Sequence, residues 1–428
     1  MTPDESLSWL YGLQQFGVKL GLNNVRELLL RLDSPQCSFS CVHVAGTNGK
    51  GSVSAFLAEI LRQSGLRVGL YTSPHLHSFT ERIRVNGEPL AATLLPGLAQ
   101  QVRQAGSGIP ATFFEATTAM ALLAFQEAGV EIAVLETGMG GRLDATNAVD
   151  PVLSLITPVS MDHQEHLGAT LAEIATEKAG IIKPAVPVIV GRQATAAEDV
   201  ITATAARLNA PLWLAGRDYR WGGDHGAMWF EAPQTELGGL SCALPGGHQL
   251  DNYAQALAAA TYLRQKGWQL GDAALRAAGE NTRWPGRLEW CGSPPVILLD
   301  GAHNAAGAAV LARYLAEEVR RPVRLVTGLS GQRRPEEVLA PLAGSLRGLY
   351  ATPVPGGVVS VPVEQLLAWA RHAQVPARAF STEADALLAA MGEREEEEIV
   401  VVAGSLYLVA AVRGRLCDGR APDVNAGR

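Results

Sequence analysis

A glycine-rich loop with a single lysine is the part of the sequence best suited to binding phosphate groups. Its residues are Gly46, Thr47, Asn48, Gly49, Lys50, Gly51 and Ser52. An apolar run at 41–45 predicts a strand before the loop, and helical spacing of apolar residues predicts a helix over 52–64. Backbone N–H groups in such a loop converge on phosphate oxygens, and glycine permits the close approach.

The spacing of this loop departs from the standard phosphate-binding pattern. Gly51 separates Lys50 from Ser52, whereas the pattern G-x-x-x-x-G-K-[ST] joins the lysine to the hydroxyl residue. We expect Lys50 to bridge the β and γ phosphates, with Ser52 near the metal. The alternative is a glycine-rich turn with an exposed lysine, and the predicted strand and helix on either side make it the less favoured interpretation.

Carboxylates follow two other predicted strands. Glu136 ends the apolar run 132–135 and precedes a glycine-rich stretch, and Asp300 ends the run 296–299, with His303 soon after it. Acids at the carboxyl ends of parallel strands face the crevice in which ligands bind, and Mg²⁺ prefers oxygen ligands. The alternatives are a surface carboxylate for Glu136, and a helix cap or turn for the other two.

The elements that position these residues alternate between strand and helix, which predicts an α/β fold with mostly parallel sheets. A chain of 428 residues exceeds one usual core, so we predict two domains, 1–290 and 291–428, with the boundary near 288–295. Further strands are predicted at 67–71, 152–156, 186–190, 323–327, 349–352 and 398–402. A β-rich segment is predicted at 213–244, helices at 253–266, 305–319 and 336–346, and a solvated acidic loop at 393–398.

Composition excludes several classes of protein. The net charge of −7 argues against a nucleic-acid-binding protein, and no apolar run reaches the roughly 18 residues of a membrane span. The five cysteines (Cys37, Cys41, Cys242, Cys291, Cys417) contain no CxxC pair and suit a reducing compartment as buried or incidental thiols. We therefore expect a cytoplasmic protein without a membrane or nucleic-acid partner.

A series of motifs along the chain resembles one family. The series comprises VAGTNGKGSVSAFLAEIL (44–61), TSPHL (72–76), FFEATTAMAL (113–122), LETGMGGRLDATN (135–147), MDHQEHLG (161–168), EKAGIIK (177–183), WPGRLE (284–289), LDGAHN (299–304) and VVAGSLYLVAAVRGRL (401–416). Its order is similar to that of the folylpolyglutamate synthase and dihydrofolate synthase family within the Mur ligase superfamily. The resemblance implies a P-loop ATPase domain followed by a smaller Rossmann-like domain.

The resemblance also implies roles for individual residues. It implies ATP binding by the glycine-rich loop (46–52), Asn252, Arg287 and Asp300, metal binding by Ser73, Glu136 and His163, and catalytic roles for Lys50, Lys178, Arg287 and His303. It implies that Lys178 is carbamylated, which would replace a cation near the metals by an anion. From the residues alone, Ser73 is a turn signal, His163 could equally be paired with Asp162, and Lys178 is a helix-surface lysine.

A pterin pocket is expected on two segments. The first contains Thr112, Phe113, Phe114 and Glu115, where two aromatic rings and polar groups suit a flat heteroaromatic ring, although phenylalanines at helical spacing are also typical of a core. The second, by resemblance, contains Leu143, Asp144 and Ala145. We interpret residues 113–118 as a short loop, which is compatible with a bifunctional enzyme.

The activity implied is an ATP-dependent ligase that adds L-glutamate to dihydropteroate, to folates or to both through an acyl phosphate, with two Mg²⁺ ions, potassium as a further ion, and a monomeric chain. Residues 330–335 depart from the family's lysine- and aspartate-rich string. The resemblance therefore gives no expectation for glutamate affinity or for domain closure. One alternative is a Mur-type amino-acid ligase acting on another carboxylate, but only 45 residues precede Gly46, too few for its usual first domain. The other is a P-loop nucleotide-binding protein without ligase chemistry.

Overall fold

The computed structural model describes residues 1–16, 21–292, 294 and 296–418. For residues 15, 16, 417 and 418 it describes the backbone but not the side chain. These residues form two units. The first comprises Met1–His75, Thr80–Ala243 and His248–Arg283, and the second comprises Leu76–Phe79, Leu244–Gly247 and the chain from Trp284 onward. The α/β fold that the sequence predicts is confirmed, since each unit contains a mostly parallel sheet flanked by helices.

The first unit contains an eight-stranded sheet of order β4-β3-β2-β5-β1-β6-β7-β8. Its strands are β1 (Ser40–Ala45), β2 (Val68–Tyr71), β3 (Ile83–Val85), β4 (Glu88–Pro89), β5 (Ile132–Glu136), β6 (Leu153–Ile156), β7 (Val188–Val190) and β8 (Leu212–Leu214). Strands β2, β5, β1, β6, β7 and β8 are parallel, and β3 and β4 extend one edge antiparallel. The short β-rich segment predicted at 213–244 contains an antiparallel sheet of β9 (Arg220–Gly222), β10 (Met228–Ala232) and β11 (Thr235–Leu240).

The helices of this region are α1 (Pro3–Gly12), α2 (Asn23–Arg31), α3 (Lys50–Gln63), α4 (Leu95–Ala105), α5 (Phe113–Glu127), α6 (Gln164–Leu167), α7 (Leu171–Ala179), α8 (Thr195–Arg207), α9 (Gly247–Gln265) and α10 (Asp272–Asn281). Helix α3 begins at Lys50, two residues before the predicted start, because Gly49 adopts the left-handed conformation at its N-terminus. The interpretation of residues 113–118 as a loop is wrong, since they form the first turns of α5. That helix is buried nearly all round, as its apolar sequence requires.

The second unit contains a six-stranded sheet of order β12-β13-β17-β14-β15-β16. Its strands are β12 (Glu289–Cys291), β13 (Ile297–Leu299), β14 (Val323–Thr327), β15 (Leu346–Ala351), β16 (Ala377–Ala379) and β17 (Ile399–Ala403). Its helices are α11 (Ala305–Tyr314), α12 (Pro335–Leu339), α13 (Val363–His372), α14 (Glu383–Gly392) and α15 (Leu406–Arg413). Among the described strands of this sheet, only β12, at one edge, is antiparallel to its neighbour.

The acidic run at 393–398 is not wholly a solvated loop. Its last carboxylate, on Glu398, is 5% exposed and accepts a hydrogen bond of 2.5 Å from Nε of Arg324. Glu393 accepts from the Tyr350 hydroxyl at 2.7 Å. These acids satisfy basic and hydroxyl groups at the edge of the second sheet, so part of the run stabilises the fold.

The cysteines whose side chains are described are free thiols, as the sequence predicts. Cys41, Cys242 and Cys291 are buried and free, and Cys37 is free and exposed, whereas the side chain of Cys417 lies outside the described residues. Burial raises the pKa of the Cys41 thiol to about 12, so this group stays protonated and unreactive. None of the described helices is both long enough and apolar enough to cross a bilayer.

Candidate active site

The glycine-rich loop follows β1 at the carboxyl edge of the first sheet. In the sheet register, Val44 of β1 lies beside Glu136 and Ala45 lies beside Ile156, which brings the ends of three strands to one edge. Gly46 has φ = 150°, and a Cβ there would lie 1.8 Å from Oγ1 of Thr157. Any side chain at this position would therefore collide with the next strand's end, so the start of the loop requires glycine.

The N-terminus of α3 has the features of a phosphate cradle. No side chain caps it, so the N–H groups of Lys50, Gly51 and Ser52 have no partner within the helix. The N–H groups of Thr47 and Asn48 are used differently, since both donate to the carbonyl of Pro158. Free N–H groups together with the positive end of the helix dipole form a site for anions such as phosphate.

Lys50 lies close to the carboxylate of Glu136. Its Nζ donates to the carbonyl oxygen of Thr47 at 3.3 Å and lies 4.0 Å from Oε1 of Glu136. Both side chains are largely buried, with 15% and 6% of their surfaces exposed. The cation of the predicted phosphate loop and the acid at the end of a separate predicted strand thus lie together.

Glu136 and Ser73 form a pair of oxygen donors. The carboxylate accepts a 3.1 Å hydrogen bond from the backbone N–H of Ser73, which follows β2. Hard oxygen donors beside a phosphate site suit Mg²⁺, which takes few protein ligands and keeps phosphate oxygens and water for the others. Within the described ranges no group of three His, Cys, Asp or Glu side chains could hold a metal ion, so an ion here would rely on this acid, hydroxyl groups and phosphate.

His163 has an unusual backbone and an exposed ring. It adopts φ = 49° before α6, and its N–H is hydrogen-bonded to Oδ1 of Asp162 at 3.0 Å. Its Nδ1 lies 3.9 Å from Oε1 of Glu165, and its side chain is 42% exposed. The pairing with Asp162 considered from sequence is present through the backbone, and the ring remains accessible to solvent.

Lys178 is buried, in contrast to the helix-surface lysine expected from its residue type. It is 3% exposed, and its Nζ donates to the carbonyl oxygen of Gly46 at 2.7 Å. Burial, and then the positive charge of Lys50, lower its pKa to about 7. Its amine is therefore partly neutral near physiological pH and lies at the phosphate loop.

The segment predicted to face a pterin begins α5. Thr112 and Glu115 form a capping box, in which each side chain accepts a hydrogen bond from the other's backbone N–H. Both are buried, so their polar groups are committed to the helix end. The two aromatic rings between them are partly exposed; Phe113 stacks on Tyr11 at 5.7 Å, and the Phe114 ring lies against Gly138.

The second predicted pterin segment is fixed by a buried carboxylate. Asp144 accepts hydrogen bonds from the backbone N–H groups of Met139 and Thr146 and from the Thr146 hydroxyl. Burial raises the pKa of this carboxyl group. Leu143 is partly exposed, whereas Ala145 is buried, so the exposed surface of this segment is carried by Leu143 and the backbone.

His43 is a residue that sequence reasoning missed. It is fully buried on β1, and its Nε2 lies 2.8 Å from the Thr146 hydroxyl, which also bonds to Asp144. Burial lowers the pKa of His43 to about 3, so the ring is neutral. A polar residue inside the apolar run 41–45 was the available signal. The contact connects the strand before the phosphate loop to the segment after Glu136.

Asn252, on α9, lies against the phosphate loop. Its amide Nδ2 donates to Oε1 of Gln249 at 2.9 Å, and a Cβ on Gly49 would lie 2.5 Å from its Oδ1. Gly49 has φ = 87°, so both its backbone conformation and this contact require glycine. Asn252 lies about two hundred residues after the loop in the sequence, so only the folded chain brings the two together.

The second unit has its own group of predicted site residues. Asp300 is buried after β13, and its two oxygens accept from the backbone N–H groups of Leu288 and Ala302, each at 2.9 Å. Burial raises its pKa, which the nearby Arg287 opposes. His303 bonds through Nδ1 to the Gly301 carbonyl at 2.8 Å, and Nη1 of Arg287 donates to the carbonyl of Gly286. Asp300 therefore joins the segment containing Arg287 to the end of β13.

These features define an ATP-dependent ligase built on a Mur-type P-loop domain, and the comparisons with known proteins agree. The family model of the Mur ligase middle domain matches residues 44–260, and that of the dihydrofolate synthetase C-terminal domain matches 291–415. The chain belongs to the folylpolyglutamate synthase and dihydrofolate synthase family.

Individual relatives match over nearly their whole length. The chain is 31% identical to folylpolyglutamate synthase of Lacticaseibacillus casei, over 98% of this chain and 100% of that protein. Among solved structures, Escherichia coli FolC in complex with DHPP and ADP superposes with a TM-score of 0.87 at 32% identity, covering 96% and 97% of the two chains. The Yersinia pestis bifunctional enzyme, complexed with AMPPNP and Mn ion, has a TM-score of 0.87 at 33% identity, covering 97% and 98%.

Proposed function

We propose that this chain uses ATP to join L-glutamate to the carboxylate of dihydropteroate, of a reduced folate, or of both. The main support is the uncapped N-terminus of α3, where Lys50 lies beside Glu136. The chain also aligns over nearly its whole length with the relatives named above. A phosphate cradle, a cation and a buried acid are the groups that phosphoryl transfer from ATP requires.

The reaction proceeds in two steps. A carboxylate oxygen of the acceptor attacks the γ-phosphorus, the bond to ADP breaks, and an acyl phosphate forms. The neutral amine of glutamate then attacks the acyl carbon, phosphate leaves, and the amine loses a proton as the amide forms. Lys50 and the N–H groups of Lys50, Gly51 and Ser52 stabilise negative charge on the transferring phosphoryl group.

Glu136 and Ser73 would bind the first magnesium ion. His163 would be a ligand of a second magnesium ion. When bound, divalent ions neutralise phosphate charge. We include potassium as a further ion by analogy with the family. Glu136 is held in place for this role by the backbone N–H of Ser73. His163 presents an exposed imidazole at the start of α6.

We also propose that Lys178 is carbamylated. Its neutral amine attacks CO₂, forming an N–C bond and releasing one proton, and the product is an anion. The buried position at the Gly46 carbonyl and the pKa of about 7 both favour the neutral amine that this reaction needs. The carbamate would place negative charge beside the phosphate loop, where it can face a metal ion.

The pterin ring is expected against Phe113 and Phe114, with Thr112, Glu115 and the segment 143–145 at its edges. We propose that ATP is contacted by Asn252, Arg287 and Asp300. We also propose that His303 lies near the reacting atoms. We keep 1–290 and 291–428 as the functional division into an ATP-binding domain and a glutamate-ligase domain. A bifunctional, monomeric, cytoplasmic enzyme completes the proposal.

The test is phosphate release from ATP in the presence of Mg²⁺ and glutamate, with dihydropteroate or tetrahydrofolate as acceptor. Turnover that requires glutamate and occurs with both acceptors is the expected result. Turnover with one acceptor alone would limit the enzyme to one activity. ATP hydrolysis without either acceptor would instead indicate a nucleotide-binding protein, and inactivity with both acceptors would favour a Mur-type ligase acting on another carboxylate.

A further inference from the structure

Arg82 is a buried arginine that none of the roles above uses. It ends a short 3₁₀ helix (Phe79–Arg82) before β3, and it is 5% exposed. Its Nε donates to Nδ1 of His75 at 2.7 Å. Its Nη1 and Nη2 groups donate to no other described residue, so four N–H bonds of this guanidinium have no protein acceptor in the described part of the chain.

Among the residues that the structure describes, the charge of Arg82 also has no counterion. No carboxylate of the described residues forms an ion pair with it, whereas the partly buried Arg324 is paired with Glu398. A buried cation without an anion costs several kcal/mol relative to its hydrated form. His75 cannot supply the missing negative charge, because its imidazole is either neutral or cationic. The arrangement therefore suits an anion brought by a ligand.

The position of Arg82 indicates which ligand this is. Its carbonyl accepts the N–H of Thr72 at 3.0 Å, next to the proposed metal ligand Ser73. Its guanidinium carbon lies 5.3 Å from the ring centroid of Phe113, which is proposed to face the pterin. An acceptor that stacks on Phe113 therefore lies beside this guanidinium, on a residue whose backbone is bonded next to Ser73.

We propose that Arg82 binds the ionised carboxylate of the acceptor substrate and selects acids over neutral analogues. This inference rests on the proposed function. Two parallel N–H groups of a guanidinium match the two oxygens of a carboxylate, and His75 fixes the plane of the fork through Nε. The stacking of Phe113 on Tyr11 holds the aromatic neighbour in place.

The test compares the binding of dihydropteroate with that of its carboxamide, which differs only at the acid. Dissociation constants are measured for the wild type, Arg82→Gln and Arg82→Lys, with Arg84→Gln as the matched control. Arg84 lies two residues away on β3 and is only partly buried. The wild type and the control should prefer the acid by about 10- to 100-fold, the value expected for a charge-assisted hydrogen-bonded pair.

Arg82→Gln should lose this preference while binding the amide as the wild type does, and Arg82→Lys should keep only part of it. If Arg82→Gln retains the wild-type ratio of acid to amide affinity, or weakens both ligands equally, Arg82 has only a structural role and the proposal is wrong. Should the glutamine variant fail to fold, an undiminished ratio in Arg82→Lys overturns the proposal in the same way. Failure of the wild type to bind either ligand would instead count against the proposed function.

Discussion

The carbamylation of Lys178 can be tested through its pH dependence. Only a neutral amine reacts with CO₂, and an ordinary lysine with a pKa near 10.5 is about 0.1% neutral at pH 7.5. With the pKa lowered to about 7 by burial and by the charge of Lys50, roughly three quarters of the side chain is neutral at that pH. The structure therefore predicts a several-hundredfold larger reactive fraction than a solvent-exposed lysine has.

The assay is ¹³C NMR of the protein with labelled CO₂, held at constant dissolved CO₂ while the pH is raised from 6 to 9. We expect a carbamate signal that grows as the pH passes about 7 and that is absent in Lys178→Met. Lys183→Met is the matched control, because Lys183 also has a pKa lowered by burial but is more exposed. A signal that survives in Lys178→Met, or that emerges only near pH 10, would refute the reasoning.

The same pKa has a consequence for stability. Between about pH 7 and 10.5 the unfolded chain carries the Lys178 proton and the folded chain does not, so the free energy of unfolding rises with pH. One proton corresponds to a slope of up to about 1.4 kcal/mol per pH unit. Lys178→Met should remove this contribution in urea titrations performed without CO₂, and an unchanged slope would contradict the assigned pKa.

Three further predictions concern the phosphate loop, the metal site and α5. Gly49→Ala should weaken ATP binding at least about tenfold by equilibrium dialysis, since its Cβ would lie 2.5 Å from Oδ1 of Asn252. Glu136→Gln keeps the side chain's shape but removes its charge, and should lower the rate of magnesium-dependent phosphate release about 100-fold. Thr112→Ala removes a capping box and should lower the free energy of unfolding by about 1 kcal/mol in urea titrations while raising the KM for dihydropteroate.

Each of these changes has a control. Gly65 has the same φ of 87° with nothing within 4 Å of its Cβ position, so Gly65→Ala should strain the backbone without affecting ATP. Glu59→Gln removes a carboxylate that pairs with Arg62 on α3, and should leave turnover unchanged. Thr170→Ala breaks a similar capping box on α7 and should cost similar stability with no effect on KM. Equal effects within a pair on ATP binding, on turnover or on the KM for dihydropteroate would contradict the proposed role.

Much of the fold could be predicted from local sequence. The strand predicted at 132–136 matches β5 in full, and the strand predicted at 323–327 matches β14, because buried parallel strands need nearly continuous apolar side chains. The edge strands β12 and β16 were missed, since three-residue strands with polar or small residues carry little periodic signal. The first turns of α5 were interpreted as a loop because Thr112 and Glu115 were assigned to a ligand and not to each other.

The candidate site divides in a similar way. Glu136 and Asp300 were evident because a charged group that ends an apolar run breaks the local pattern. Lys50 was evident because it lies in a glycine-rich loop between a predicted strand and a predicted helix. The pairing of Arg82 with His75 and the position of His43 were not evident, since burial of a polar side chain depends on which elements pack around it. Lys178 was assigned a role only by resemblance, because a lysine in a helix is usually exposed.

The sequence by itself determined the alternation of strands and helices, the phosphate loop after β1 and the family to which the chain is similar, because these depend on residues close together along the chain. Only the tertiary structure decided that Lys178 is buried at the carbonyl of Gly46, that Asn252 lies against Gly49, and that Arg82 has no counterion among the described residues. Desolvation and unpaired charge arise when distant segments exclude water together, and no local pattern records which segments those are.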